Sequence, residues 1–255
     1  MQKSLFLILF FSCLAFMAQA LEIDDGPHSE SAPPEVIPAP QPKPQSMTEI
    51  LSVADEETIN TLLKQGFALN SRDENGDTPL IFVLKNNDNL NVARLMIEAG
   101  ADINAPNEEG MTPLLVATET ANNLLKQQKI LSAAQINKVS LIPEEQLRGR
   151  TAYQMKRAEK MLRILLHYGA DINQETPFGT PLMSAATSDL NINILNILLN
   201  SGAKVNAQDQ NGQSALFYAR AHDAVEAEAL LIKYGADINL LDRYGRTYMD
   251  AESAE

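Results

Sequence analysis

The chain has 255 residues, 45% hydrophobic, and carries 33 acidic against 20 basic side chains for a net charge of −13. That balance argues against wholesale binding to DNA, RNA or anionic membrane, which needs a basic surface. With no tryptophan, 6 tyrosines and 8 phenylalanines, it also argues against a base-stacking platform.

The first 20 residues have the form of a secretion signal. Lys3 supplies the positive start, Leu5 to Phe16 the apolar run and Ala18-Gln-Ala20 the small-x-small cleavage site. The run is too short to span a bilayer. Cleavage after Ala20 is expected, leaving Leu21 as the first mature residue and no integral membrane span. The alternative of a lipoprotein anchored at Cys13 fits poorly, because the apolar stretch before it is very short and ends in Phe10-Phe11-Ser12. Cys13 is the only cysteine, so the mature chain would have no disulfide, thiol nucleophile or thiolate metal site. No Asn-x-Ser/Thr sequon occurs. Together these favour a bacterial periplasm, or secretion beyond it, over a eukaryotic secretory route.

Residues 21–46 hold seven of the 13 prolines, mixed with Ser, Glu and Ala. That density favours extended polyproline II backbone, so this segment reads as a disordered tether.

From residue 47 a phrase recurs. Gly100-Ala-Asp-Ile-Asn104 returns as Gly169-Ala-Asp-Ile-Asn173, Gly202-Ala-Lys-Val-Asn206 and Gly235-Ala-Asp-Ile-Asn239, with a worn copy at Gly66-Phe-Ala-Leu-Asn70. The glycines are 34, 69, 33 and 33 residues apart. Each is followed 11 or 12 residues later by a second phrase: Thr78-Pro-Leu80, Thr112-Pro-Leu114, Thr180-Pro-Leu182, Ser214-Ala-Leu216 and Thr247-Tyr-Met249. A fixed period near 33 indicates a solenoid of stacked units. Thr can cap a helix, Pro suits its first turn, and Gly can end the second helix at positive φ. The second helices carry apolar stripes such as Ile194, Leu195, Leu198 and Leu199.

These phrases strongly resemble the ankyrin repeat, whose pattern is a turn, Thr-Pro-Leu, two antiparallel helices and Gly-Ala-Asp. The resemblance implies an all-α solenoid of about five to six repeats, each with a projecting hairpin finger. Boundaries fall near 47–76, 77–110, 111–179, 180–212 and 213–245, with a partial unit at 246–255. The first unit serves as the N-terminal cap, with helices near Met47–Ala54 and Glu56–Gln65, and the polar tail from Asp250 closes the other end. Two departures stand out. The histidine that usually follows Thr-Pro-Leu is replaced by Ile81, Leu115, Met183 and Phe217, and the finger Thr176-Pro-Phe-Gly179 is one residue short.

The third unit exceeds its neighbours by about 35 residues, placed at 118–159. Its outgoing stretch to Lys138 lacks Pro and Gly. Its return run sets Leu147, Thr151, Met155, Ala158, Leu162 and Leu165 on one helical face. Gly149 is a candidate interruption, with a second start at Thr151. Two long antiparallel helices are expected, an arm standing ~20 Å proud of the stack. From Thr118 to Arg163 nine bases face four acids, a net +5 that leaves −18 on the rest of the chain. Such a dipolar molecule can draw an acidic partner or anionic headgroups to its arm; ordinary solvated helix faces explain the same charges equally well.

No catalytic constellation emerges. His28, His167 and His222 lack ligand spacing, no phosphate loop or nucleophile motif occurs, and the aspartates sit in repeat turns. No cofactor or metal is expected. The reading is an exported, non-catalytic protein-binding module, a monomer, with no nucleic-acid partner. Ankyrin repeats usually hold proteins on the concave face of finger tips and first helices. The resemblance therefore implies contact through Asp77, Met111, Phe178, Gln213, Arg243, Tyr244 and Arg246, with Met111, Phe178 and Tyr244 as anchors. The basic arm adds Lys126, Lys129, Arg148, Arg150, Lys156 and Arg157. The alternatives are a structural envelope spacer touching membrane or cell wall, or a secreted effector or toxin-immunity protein.

Overall fold

Thr78 shows how three of the units begin. Its hydroxyl accepts the Ile81 amide at 3.3 Å and Pro79 opens the first turn of α3 (Pro79–Asn86). The computed structural model describes residues 46–121 and 144–250, except the side chains of 144–148, 150, 151 and 190; all lie within the unit Pro44–Glu255. The expected leader, the tether through residue 45, the outgoing arm residues 122–143 and the tail residues 251–255 lie outside the described residues.

Before α3 come α1 (Met47–Val53) and α2 (Glu56–Lys64), capped by Ser46 and Asp55. After it come α4 (Leu90–Glu98), α5 (residues 113–121) and α6 (Glu144–His167). Then follow α7 (Pro181–Ala185), α8 (Ile192–Asn200), α9 (Ala215–Ala221) and α10 (Val225–Lys233). The last described element is a 3-10 turn at Tyr248–Asp250. No strand occurs among the described residues. The Thr112 and Thr180 hydroxyls repeat the Thr78 cap on Leu115 and Met183, whereas Ser214 makes no such bond.

The helices stand in two rows. First helices pack on first helices, α1 on α3 and α7 on α9, and the Tyr248 turn packs on α9. Second helices form the other row, α2 to α4 to α6 to α8 to α10. Between the rows one continuous core holds Leu80, Leu114, Leu182 and Leu216 from the first helices and Met96, Leu162, Leu198 and Leu231 from the second. Ile81, Leu115, Met183 and Phe217, in the place of the usual histidine, are all buried there. Where that histidine would need a hydrogen-bonding partner, this chain adds apolar volume.

Polar rungs fix the register of the stack. The Asn70 side chain accepts the amide of Asp102 in the next unit at 2.9 Å. Asn104 does the same for Asp171, Asn173 for Lys204 and Asn206 for Asp237, all at 2.8 Å. The Asp of each phrase stays exposed and accepts the amide two residues on, as Asp102 does from Asn104 and Asp237 from Asn239. Lys204 has no carboxylate for that turn, but its backbone still serves the rung.

The fingers close on one pattern. Asp73, Asp209 and Asp242 accept amides two and four residues ahead, and Asn107 accepts the one four ahead. Each turn ends in a glycine at positive φ. At Gly212 a Cβ would stand 2.9 Å from the Arg243 backbone nitrogen, so the neighbouring finger itself excludes a side chain. The short finger is a tight turn: the Thr176 hydroxyl accepts the Phe178 amide and donates to the Gly179 carbonyl at 2.8 Å.

The inserted unit departs from one expectation. α6 runs unbroken through Gly149 for 24 residues, about 36 Å of helix. Ala158, Leu162 and Leu165 are buried in the core. At the tail end, Tyr248 is buried but Ile238, Leu241 and Met249 remain exposed, so the described part of the last unit covers the stack only in part.

Two outcomes test this frame by urea denaturation. Asn173→Ala, which removes one rung, costs about 1 kcal/mol. Gly212→Ala costs more, about 2 kcal/mol, because strain at positive φ adds to the backbone clash.

Candidate functional site

Two surfaces have features that capping and packing do not account for. The first is the row of finger tips. Phe178 is 50% exposed and Tyr244 is 64% exposed. The Arg243 guanidinium lies 4.7 Å from the Tyr244 ring centroid and that of Arg246 lies 5.1 Å away. Arg246 is also held by Asp242 at 2.9 Å. A tyrosine flanked by two guanidiniums is pre-ordered toward solvent, which reduces the entropy lost on contact.

Three expected contact residues lie elsewhere. Asp77 is 5% exposed, ion-paired with Lys85 at 2.7 Å and bonded by Asn107 at 2.8 Å, so it joins two fingers from inside. Met111 is partly buried and packs on the core, so it is not an exposed anchor. Gln213 is half-buried, with its amide bonded to Asp209. All three occupy the position between the finger glycine and the helix cap, which is drawn in between turn and helix.

Below the tips, the Tyr218 hydroxyl donates to Asp209 at 2.9 Å. Burial, with Asp209 beside it, pushes the phenol up to about 12.

The second surface lies along α6, at the end of the helices away from the fingers. Tyr153, Lys156, Arg157, Lys160, Arg163 and Ile164 share one helical face. With the start of α4 they line a groove of about 530 Å³. The sequence signal was present in the 3 and 4 spacing of these bases, but their facing wall, Asp88 to Asn91, is over 60 residues away. Arg157 is the exception among the bases. It is 5% exposed and donates to the carbonyls of Leu84 (3.1 Å) and Asn87, closing the C-terminal end of α3. Its Nε lies 3.3 Å from Asp88. Burial pulls its pKa down from the ordinary arginine value and Asp88 opposes that. It therefore anchors the arm and is not a free contact residue. Arg148 and Arg150 lie on α6 with side chains outside the described set, and Lys126 and Lys129 lie outside the described residues.

Among the described residues, no group of three or more His, Cys, Asp or Glu side chains is placed to hold a metal ion, and no helix is long and apolar enough to cross a membrane.

The family model described as Ankyrin repeats matches residues 50–139 and 150–247 in three copies, well over half of the chain. The chain belongs to the ankyrin-repeat family. The gap between the two matched segments falls in the arm, where this chain departs from the repeat pattern. No curated protein matches the sequence. Ankyrin-repeat proteins are typically non-catalytic protein–protein interaction modules.

Two measurements follow. Tyr218 is neutral and hydrogen-bonded in the folded state, with its pKa raised, so its contribution to stability is complete below pH 10 and is lost as pH climbs through about 12. An ultraviolet tyrosinate titration should show one tyrosine ionising last, and Tyr218→Phe should remove that step. Arg157→Ala should cost about 3 kcal/mol, since the carbonyls at the end of α3 and Asp88 lose their partner, and Arg157→Lys should recover only part of it.

Proposed function

We propose that this protein is exported and acts without catalysis, binding another protein through its finger row and the basic face of α6, in a bacterial periplasm. The observation that carries the reading is Tyr244. It is 64% exposed on a finger tip, ordered by Arg243 and Arg246, and contributes nothing to the core. Aromatic and arginine side chains so placed are the usual anchors of protein interfaces. The form of the first 20 residues supports export, and the proline-rich segment after them supports a tethered module.

Crosslinking in intact cells followed by mass spectrometry tests the reading. A single protein should be captured by the wild-type chain and lost with the double variant Phe178→Ala, Tyr244→Ala, while circular dichroism stays unchanged. The fractionated mature chain should begin at Leu21 in the envelope fraction. A cytosolic chain that retains Met1 would overturn export, and capture indifferent to both substitutions would overturn the finger assignment.

A further inference from the structure

The groove between α4 and α6 gathers positive charge that the described residues leave largely unpaired. Lys156, Lys160 and Arg163 line one wall, and none has an ion pair among the described residues. Arg157 also lines this groove; its Nε is buried and makes no hydrogen bond, only the ion contact with Asp88. The opposite wall is the N-terminal end of α4, which has no acidic residue in its first turn. Its dipole therefore adds to the same sign. Among the described lining residues Asp88 is the one carboxylate, against four cations. Glu56, near the rim, is taken up by the Asn91 side chain at 2.6 Å. In a chain with 33 acids and 20 bases, like charges are thus gathered in a concave site where the other sign is plentiful elsewhere. Mutual repulsion there costs stability, and an anionic occupant would relieve it.

The walls are not purely polar. Leu90 and Ile164 are half-buried in the lining and Tyr153 is 57% exposed at its edge. We propose that this groove binds an acidic segment of the partner protein, with carboxylates on Lys156, Lys160 and Arg163 and an apolar side chain over Leu90 and Ile164. This deepens the reading of a protein-binding module and rests on it. A recessed site of about 530 Å³ suits a short stretch of chain. A bilayer surface, flat on this scale, would reach the rim but not Leu90. A free phosphate would leave the apolar floor uncovered.

The probe is a short labelled peptide of alternating Glu and Leu, followed by fluorescence anisotropy with the full mature chain. Parallel samples use the same peptide with Gln for Glu, vesicles of phosphatidylglycerol, and inorganic phosphate as competitor. The Glu peptide should bind and the Gln peptide should not. Binding should weaken about tenfold in the double variant Lys160→Glu, Arg163→Glu, and several-fold on going from low to physiological salt. Phe178→Ala, Tyr244→Ala should bind the peptide like wild type. The proposal falls if the Gln peptide binds equally, if the charge-reversed chain binds undiminished, or if only vesicles or phosphate bind. Should the peptide fail while Phe178→Ala, Tyr244→Ala still abolishes crosslinked capture, the groove assignment fails and the module stands. If the peptide binds but capture ignores the finger residues, the groove assignment stands and the finger assignment fails.

Discussion

Each repeat completes its neighbour's hydrogen bonding, and the rest of the architecture depends on that loan. Asn70, Asn104, Asn173 and Asn206 each accept an amide from the following unit at 2.8 to 2.9 Å. One such bond is worth about 1 kcal/mol net, less than the 1.5 to 3 kcal/mol of burying a single leucine. Apolar burial between the two rows therefore supplies the stability. The rungs supply register, because sliding one unit past another would strand a donor and an acceptor at every level. Helix ends are shared in the same way: Asn87 donates to the carbonyls of Leu51 and Ala54 in the unit before, and Asp189 accepts the Ala227 amide in the unit after.

Arg157 extends this logic to the arm. A buried guanidinium is costly to desolvate, so its place is explained only by what it satisfies. It reaches from α6 to the end of α3, where Leu84 and Asn87 present unpaired carbonyls, and it meets Asp88 on the way. The same contact brings α6 against the start of α4 and so creates the groove. One charge used for architecture thus sets the spacing of three that have no ion pair among the described residues.

The finger tips and the groove lie at opposite ends of the helices and differ in chemistry. The tips present aromatic side chains steadied by arginines in an acidic field. The groove presents cations over a partly apolar floor. A partner engaging both would meet them with different groups, and so gain specificity from their arrangement as well as affinity from either one.

The period of 33, the Thr-Pro-Leu caps and the apolar stripes were legible in the chain, because capping and amphipathicity are local and repeat with the helix. The exposed tips Phe178, Arg243, Tyr244 and Arg246 were legible too, since they lie within turns of known geometry. Asp77 and Arg157 were not, because their orientation depends on partners 30 or more residues away: Asn107 for Asp77 and Leu84 with Asn87 for Arg157. By itself the sequence determined that this is an ankyrin stack with one overgrown unit and a basic arm. Only the tertiary structure decided which of the arm's charges is spent on holding α3 and which remain to line a groove, because that division is made by a helix end that is distant along the chain and adjacent in space.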